Sequence, residues 1–264
     1  MLKQAAIGVF DSGLGGVSVL HEIRHLLPAE SLIYVADSAY VPYGEKTPAV
    51  IVQRSLAISE FLLAQPVKAL VVACNTATAA AVNELRQRWP NTLIVGMEPA
   101  VKPAVLASKV ARVGVLATTG TLRSARFAAL LERYAGDVEV ITQPCPGLVE
   151  LIEAGELNSA VTRTLLLSYL QPLLAAGCDT VILGCTHYPL VKPLLRTLLP
   201  ETVQIIDTGA AVARRLQSEL AKKNLLAEQQ QPHDLFYASG NVQCVEQTLS
   251  SLWFRSETVQ ALNV

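Results

Sequence analysis

At 264 residues and a formal net charge of −1, the chain can form one large domain or two of ordinary size, and it has no general attraction for nucleic acid or an anionic membrane. Half of it is apolar (51%) and little is aromatic (5%), so a sizeable core is available and wholesale disorder is excluded. Abundant Ala, Val and Leu suit buried parallel strands packed by helices.

The chain opens on Met1-Leu2-Lys3-Gln4-Ala5-Ala6-Ile7-Gly8 and runs straight into a strand pattern, without the apolar region or cleavage site of a signal peptide. A strand over Ala6–Phe10 is followed by a helix over Gly16–His25, a strand over Leu32–Ala36 and a helix over Thr47–Ala64. A strand over Ala69–Ala73, a helix over Ala77–Trp89, a strand over Leu93–Gly96 and a helix over Ala100–Ala107 complete the first stretch. The pattern then resumes with strands at Arg112–Ala117, Glu139–Gln143, Thr180–Gly184 and Val203–Ile206. Helices at Ser124–Tyr134, Asn158–Ala176, Leu190–Leu199 and Ala210–Lys223 alternate with them. A weaker strand at Asp234–Ala238 and a following helix close the chain, and no chemistry is assigned to this tail. Lys222-Lys223, a compact basic run, reads as a solvated helix face.

The order of elements repeats. Ile7-Gly8-Val9-Phe10-Asp11-Ser12-Gly13 lines up with Val113-Gly114-Val115-Leu116-Ala117-Thr118-Thr119. Further on, Val71-Val72-Ala73-Cys74 lines up with Ile182-Leu183-Gly184-Cys185, and Ile94-Val95 with Ile205-Ile206. Shared composition can align any one such pair; several in register point to duplication. The fold class is therefore α/β, with two similar doubly wound domains related by a pseudo-twofold axis and the active site in the cleft between them. Residues 1–97 plus 208–264 form the first domain, carrying Cys74, and residues 98–207 the second, carrying Cys185.

No apolar stretch reaches membrane-spanning length without Gly, Pro or charge, so a cytoplasmic address is expected, where thiols stay reduced. Cys74, Cys145, Cys178, Cys185 and Cys244 are odd in number and lack CxxC spacing, which argues against a disulfide framework. Cys145, Cys178 and Cys244 read as packed small hydrophobes. Cys74 and Cys185 differ: each follows an apolar strand and precedes a helix, where N-terminal amides favour a thiolate. Asn75 and Thr76 are good caps for the helix near Ala77, and Pro189 suits the first turn of the later helix. Two thiols in matched settings suit a reaction that needs an acid and a base on opposite sides of a substrate.

Other candidates surround this pair. Asp11-Ser12-Gly13-Leu14-Gly15-Gly16 opens a helix without matching GxGxxG and without a Walker lysine. Its amides can approach an anion, while Asp11 can hold an ammonium or orient a thiol. The loop Asp37-Ser38-Ala39-Tyr40-Val41-Pro42-Tyr43-Gly44 lies over the same sheet edge and could offer amides to a carboxylate, although packing alone explains Tyr40. His187 sits where it can hydrogen-bond or shuttle a proton for Cys185, whereas Glu153 alone reads as a surface helix charge. A cysteine phosphatase loop fails because Ala80 and Val191 stand where its arginine would be. Dispersed His and Cys exclude a clustered zinc site, so no metal is expected, and no pyridoxal-lysine motif is recognisable.

Taken together, Asp11-Ser12-Gly13-Leu14-Gly15-Gly16, Val41-Pro42-Tyr43-Gly44, Ala73-Cys74-Asn75-Thr76-Ala77 and Gly184-Cys185-Thr186-His187-Tyr188-Pro189-Leu190 resemble glutamate racemases, of the aspartate/glutamate racemase superfamily, from Ile7 to about Ala213. The resemblance implies a bacterial, cytoplasmic enzyme that needs no cofactor and makes D-glutamate for peptidoglycan, working as a homodimer on a small-molecule substrate with no nucleic-acid or membrane partner. It makes Cys74 the base for D-glutamate and Cys185 the base for L-glutamate, with Asp11 and His187 tuning the thiols. Asp11, Ser12, Tyr43, Gly44, Asn75, Thr76, Thr186 and His187 would contact substrate, with Asp37 and Glu153 behind them. Members activated by a cell-wall precursor carry an N-terminal extension with no counterpart ahead of the first strand, so such activation is not expected. An aspartate racemase of the same superfamily and a non-catalytic amino-acid-binding module stay as alternatives.

Overall fold

The structure is a computed structural model that describes residues 2–228, 231–253 and 256–264. Its strands are β1 (Ala6–Asp11), β2 (Leu32–Ala36), β3 (Val67–Val72), β4 (Leu93–Val95), β5 (Arg112–Ala117), β6 (Glu139–Pro144), β7 (Thr180–Leu183), β8 (Gln204–Ile206), β9 (Leu235–Ala238) and β10 (Val259–Ala261). Its helices are α1 (Val17–Leu26), α2 (Pro48–Leu63), α3 (Asn75–Arg88), α4 (Val101–Ala107), α5 (Thr119–Leu122), α6 (Ala125–Tyr134), α7 (Leu148–Glu153), α8 (Ala160–Ala175), α9 (Lys192–Leu198), α10 (Gly209–Lys222) and α11 (Val242–Trp253).

Two parallel sheets result, ordered β10-β9-β2-β1-β3-β4 and β6-β5-β7-β8. The repeat read from the sequence is present in their topology: β2-β1-β3-β4 and β6-β5-β7-β8 are one order, shifted by four strands. The register repeats as well. Gly8 faces Ile33 and Leu70, and Leu70 faces Ile94; Gly114 faces Ile141 and Val181, and Val181 faces Ile205. Each sheet is covered on both faces, which is why β1, β2 and β7 are buried along their whole length. Helices α1, α10 and α11 supply the core on one face of the larger sheet, and α2 and α3 that on the other. Around the smaller sheet, α7, α8 and α9 lie on one side and α4 and α6 on the other.

Several boundaries differ from expectation for identifiable reasons. The helix after Cys74 begins at Asn75 rather than Ala77, because the cysteine sulfur itself caps it, accepting from Ala77 N at 3.4 Å. The stretch read as one helix from Leu190 is a 3₁₀ turn, Tyr188–Val191, followed by α9; Pro193 lacks the amide that would join them. Helix α7, which carries Glu153, starts after Gly147, whose φ of 83° ends the preceding turn, and the short α5 was not foreseen. In the tail, β9 and α11 form as read, and β10 adds an edge strand that the sequence did not disclose. Cys145 and Cys178 are packed as expected, but Cys244 is exposed on the outer face of α11, a correction to its reading as a packed hydrophobe. Lys222 and Lys223 are exposed.

Candidate active site

Both thiols occupy the same rank in their halves. Cys74 lies four residues beyond Leu70 and Cys185 four beyond Val181, the two residues that share a register position. Neither is open to solvent: they are 4% and 7% exposed. What surrounds them is not symmetric. The first half places Asp11 where the second has Ala117, and the second places His187 where the first has Thr76.

Asp11, at the carboxyl end of β1, is fully buried and accepts from Gly16 N at 2.8 Å. Its other oxygen is approached at 3.4 Å by the hydroxyls of Ser12 and, from the opposite half, Thr186. The Cys74 sulfur lies 3.9 Å from Ser12 Oγ. Burial raises the Asp11 pKa, the charge of His187 and the Gly16 amide only partly offsetting it. Burial and then the Asp11 charge push the Cys74 thiol well up, outweighing the Ala77 amide. The helix start therefore does not lower this thiol, contrary to the simple expectation; desolvation wins.

Around Cys185 the order of effects differs. His187 Nδ1 sits 3.7 Å from the Cys185 sulfur, and Nε2 is 2.6 Å from Glu153 Oε1. Burial alone would lower the imidazole pKa, but hydrogen bonds to Cys185 and Glu153 overcome it and hold it well above the ordinary histidine range. When doubly protonated, the ring can donate to both partners. Glu153, read from sequence as a surface charge, is instead only 13% exposed at its side chain and also accepts from Leu14 N at 2.6 Å. Gly15 N reaches His187 Nε2 at 3.2 Å, a bond open only to the neutral tautomer. Glycine is required in this turn by contact: a Cβ on Gly15 would lie 2.5 Å from His187 Cγ, and one on Gly13 2.7 Å from Glu153 Cδ.

The remaining candidates fall in two places. Asn75 is buried, and neither end of its carboxamide has a protein partner, leaving both available to a polar group in the cleft. Thr76 bonds across the cleft to Thr118 at 2.9 Å and Thr121 at 3.2 Å. These two threonines were missed, although the internal alignment already set Thr118 against Ser12. Tyr43 packs in the same buried cluster as Cys74 and turns its phenol toward Asp37 (2.6 Å), so that pair stands behind the Gly44 turn. Gly44 and Thr76 also line a cavity of about 710 Å³, with Lys46 and Arg123 but neither cysteine on its wall. Among the described residues, no cluster of His, Cys, Asp or Glu could hold a metal ion.

The Cys185 charge is among the causes that raise the Cys74 thiol, so the two sulfurs lie within electrostatic reach of one another, with Asp11, Ser12, Thr186 and His187 around them. Comparisons with known proteins agree in scale and kind. The Asp/Glu/hydantoin racemase family model matches residues 7–216. The chain is 63% identical over 250 residues, 95% of each chain, to the glutamate racemase of Ectopseudomonas mendocina (strain ymp). It is 60% identical over 262 residues, 99% of each chain, to that of Pseudomonas putida (strain W619). Among solved structures, a Bacillus anthracis glutamate racemase isoform superposes with a TM-score of 0.91 at 33% identity, covering 99% of this chain and 98% of that one. The Escherichia coli glutamate racemase, solved with L-glutamate and the activator UDP-MurNAc-Ala, gives 0.88 at 35% identity over 99% of each chain.

Proposed function

Because this chain belongs to the Asp/Glu/hydantoin racemase family, we propose that it interconverts L- and D-glutamate by a two-thiol proton transfer at the α-carbon, without a cofactor. It is an enzyme of the amino-acid isomerase class. The observation carrying the two-thiol reading is the pair Cys74 and Cys185 at one register rank of two repeated sheets. In the L-to-D direction, the α-proton passes to the Cys185 sulfur, held beside the His187 imidazolium. Cys74, kept protonated by burial and by the Asp11 charge, delivers its proton to the opposite face. The product complex is left with the roles exchanged, poised for the reverse reaction.

The carbanion is the costly species, since no electron sink is attached to the α-carbon. Developing charge on the carboxylate is met by hydrogen-bond donors of Asn75, Thr76 and Thr186 and by the start of α3, in a cleft that excludes most water. Asp11 and Ser12 suit the ammonium, and Tyr43 and Gly44 the mouth. Glu153 orients His187 and preserves its charge, while Asp37 supports Tyr43. The domain division is 1–97 with 208–264, and 98–207. The product D-glutamate serves peptidoglycan synthesis in the cytoplasm, and the active form is a homodimer.

Circular dichroism with L- and D-glutamate in the presence of a chelator tests this reading, with aspartate as the competing substrate. Each single Cys74→Ser and Cys185→Ser variant is expected to lose nearly all racemisation, at least about 10³-fold, as removing either acid or base does. Full activity in either variant would rule out the two-thiol scheme. Faster turnover of aspartate would move the assignment to the aspartate branch.

A further inference from the structure

We propose that Arg54 and Ser239 are positioning residues that fix the Tyr43–Gly44 lip of the cleft through Asp37, a proposal that rests on the glutamate racemase reading of that cleft. Asp37 is fully buried and its carboxylate is saturated by four bonds, two to each oxygen. Arg54 Nη2 and Ser239 Oγ donate to Oδ1 at 2.8 and 2.7 Å, and Arg54 Nε and the Tyr43 hydroxyl donate to Oδ2 at 3.0 and 2.6 Å. The arginine is thus bidentate, an arrangement that sets an angle as well as a distance.

Both residues come from outside the loop that they hold. Arg54 projects from the middle of α2, stacks its guanidinium 4.1 Å from the Tyr40 ring centroid and donates to Val264 O at 2.7 Å. Ser239 follows β9, in the tail, and also accepts from Ala39 N at 3.0 Å. The loop is therefore gripped at residue 37, at 39, at 40 and at 43, immediately before Gly44. That glycine meets the other half so closely that an added Cβ would sit 2.6 Å from Thr118 Cβ. A buried ion pair is a poor source of stability compared with apolar packing of the same volume. What this one supplies is a fixed direction for the Tyr43 phenol, and with it the position of the turn at the mouth.

Three variants test the proposal in the full-length enzyme: Ser239→Ala, Arg54→Lys and Arg54→Gln. Because L- and D-glutamate are equally stable, kcat/KM must change by the same factor in both directions. Ser239→Ala and Arg54→Lys are expected to raise KM for both enantiomers about fivefold to tenfold, with kcat within about threefold, as loss of one charge-assisted bond to a binding lip implies. The pH profile stays in place, since the thiols and His187 are untouched, and Ser239→Thr restores KM. Arg54→Gln, which strands a buried carboxylate, is expected to be larger in effect; should it not fold, the two milder variants decide. Folded Ser239→Ala and Arg54→Lys enzymes with wild-type KM overturn the proposal, as does a fall in kcat at unchanged KM. A wild-type protein that does not racemise glutamate instead overturns the functional reading itself, before any variant is made.

Discussion

Substituting Gly15 by alanine adds one methyl group where the two halves of the molecule touch. An ideal Cβ there lies 2.5 Å from His187 Cγ and 2.6 Å from Cε1, whereas carbon atoms in contact sit about 3.5–4.0 Å apart. Either the ring or the glycine turn must therefore move by roughly 1 Å. The ring cannot escape to solvent: His187 is 1% exposed and tethered at 3.7 Å to Cys185 and at 2.6 Å to Glu153. Overpacking of this size costs about 1–3 kcal/mol of stability, and a 1 Å displacement of a group beside the reacting centre costs about 100-fold in rate. Racemisation followed by circular dichroism, with a thermal melt on the same sample, separates the two effects. Gly8→Ala supplies the control, since its Cβ would meet the Leu70 side chain at 2.9 Å in the sheet core. It is expected to lower the melting temperature with kcat kept within about twofold. A Gly15→Ala enzyme with wild-type kcat would refute the argument that the glycine turn sets the place of His187.

Two further outcomes follow from buried charges. Lys68 and Glu30 face each other at 2.5 Å with side chains 0% and 2% exposed, a close charge contact in which Glu30 Oε2 lacks an aligned donor. Lys68→Met is expected to lower the urea-unfolding free energy by about 3–5 kcal/mol by stranding Glu30, and the Lys68→Met/Glu30→Gln double variant to recover most of it; an additive double variant would contradict this. The raised His187 pKa makes imidazolium stabilisation complete below about pH 6.5 and lost as pH climbs through the higher folded value. Glu153→Gln removes one cause of that elevation, so the alkaline limbs of both stability and kcat/KM should move to lower pH. Superimposable pH profiles for the two proteins would show that Glu153 does not hold the charge.

The repeated strands were readable because each leaves a short apolar run bounded by small or turn residues, and the matched cysteines because they end such runs. Contacts between the halves were not. Leu14 and Gly15 meet Glu153 and His187 across 139 and 172 residues of chain, a juxtaposition that no local pattern encodes. Glu153 looked like a surface charge because helical spacing reports the face of a helix and not what packs on it. Thr118 escaped notice as an ordinary helix cap, which it also is, and Thr121 as the residue whose amide that cap accepts. For Cys74 the local rule pointed the wrong way: a helix start favours the thiolate, yet burial beside Asp11 decides the result. The tail hid its part because β10, three residues long at a sheet edge, is too short to announce itself.

The strand order also imposes a schedule on synthesis. The four-stranded sheet is complete once Ile206 is available, because all its strands lie within one uninterrupted run from Arg112. The six-stranded sheet cannot be: β9 and β10 are the last strands to emerge, and α10, which packs beside α1, emerges only after the smaller sheet. During translation, therefore, the half bearing Cys185 can be finished while the half bearing Cys74 still has an open edge at β2, which β9 covers later.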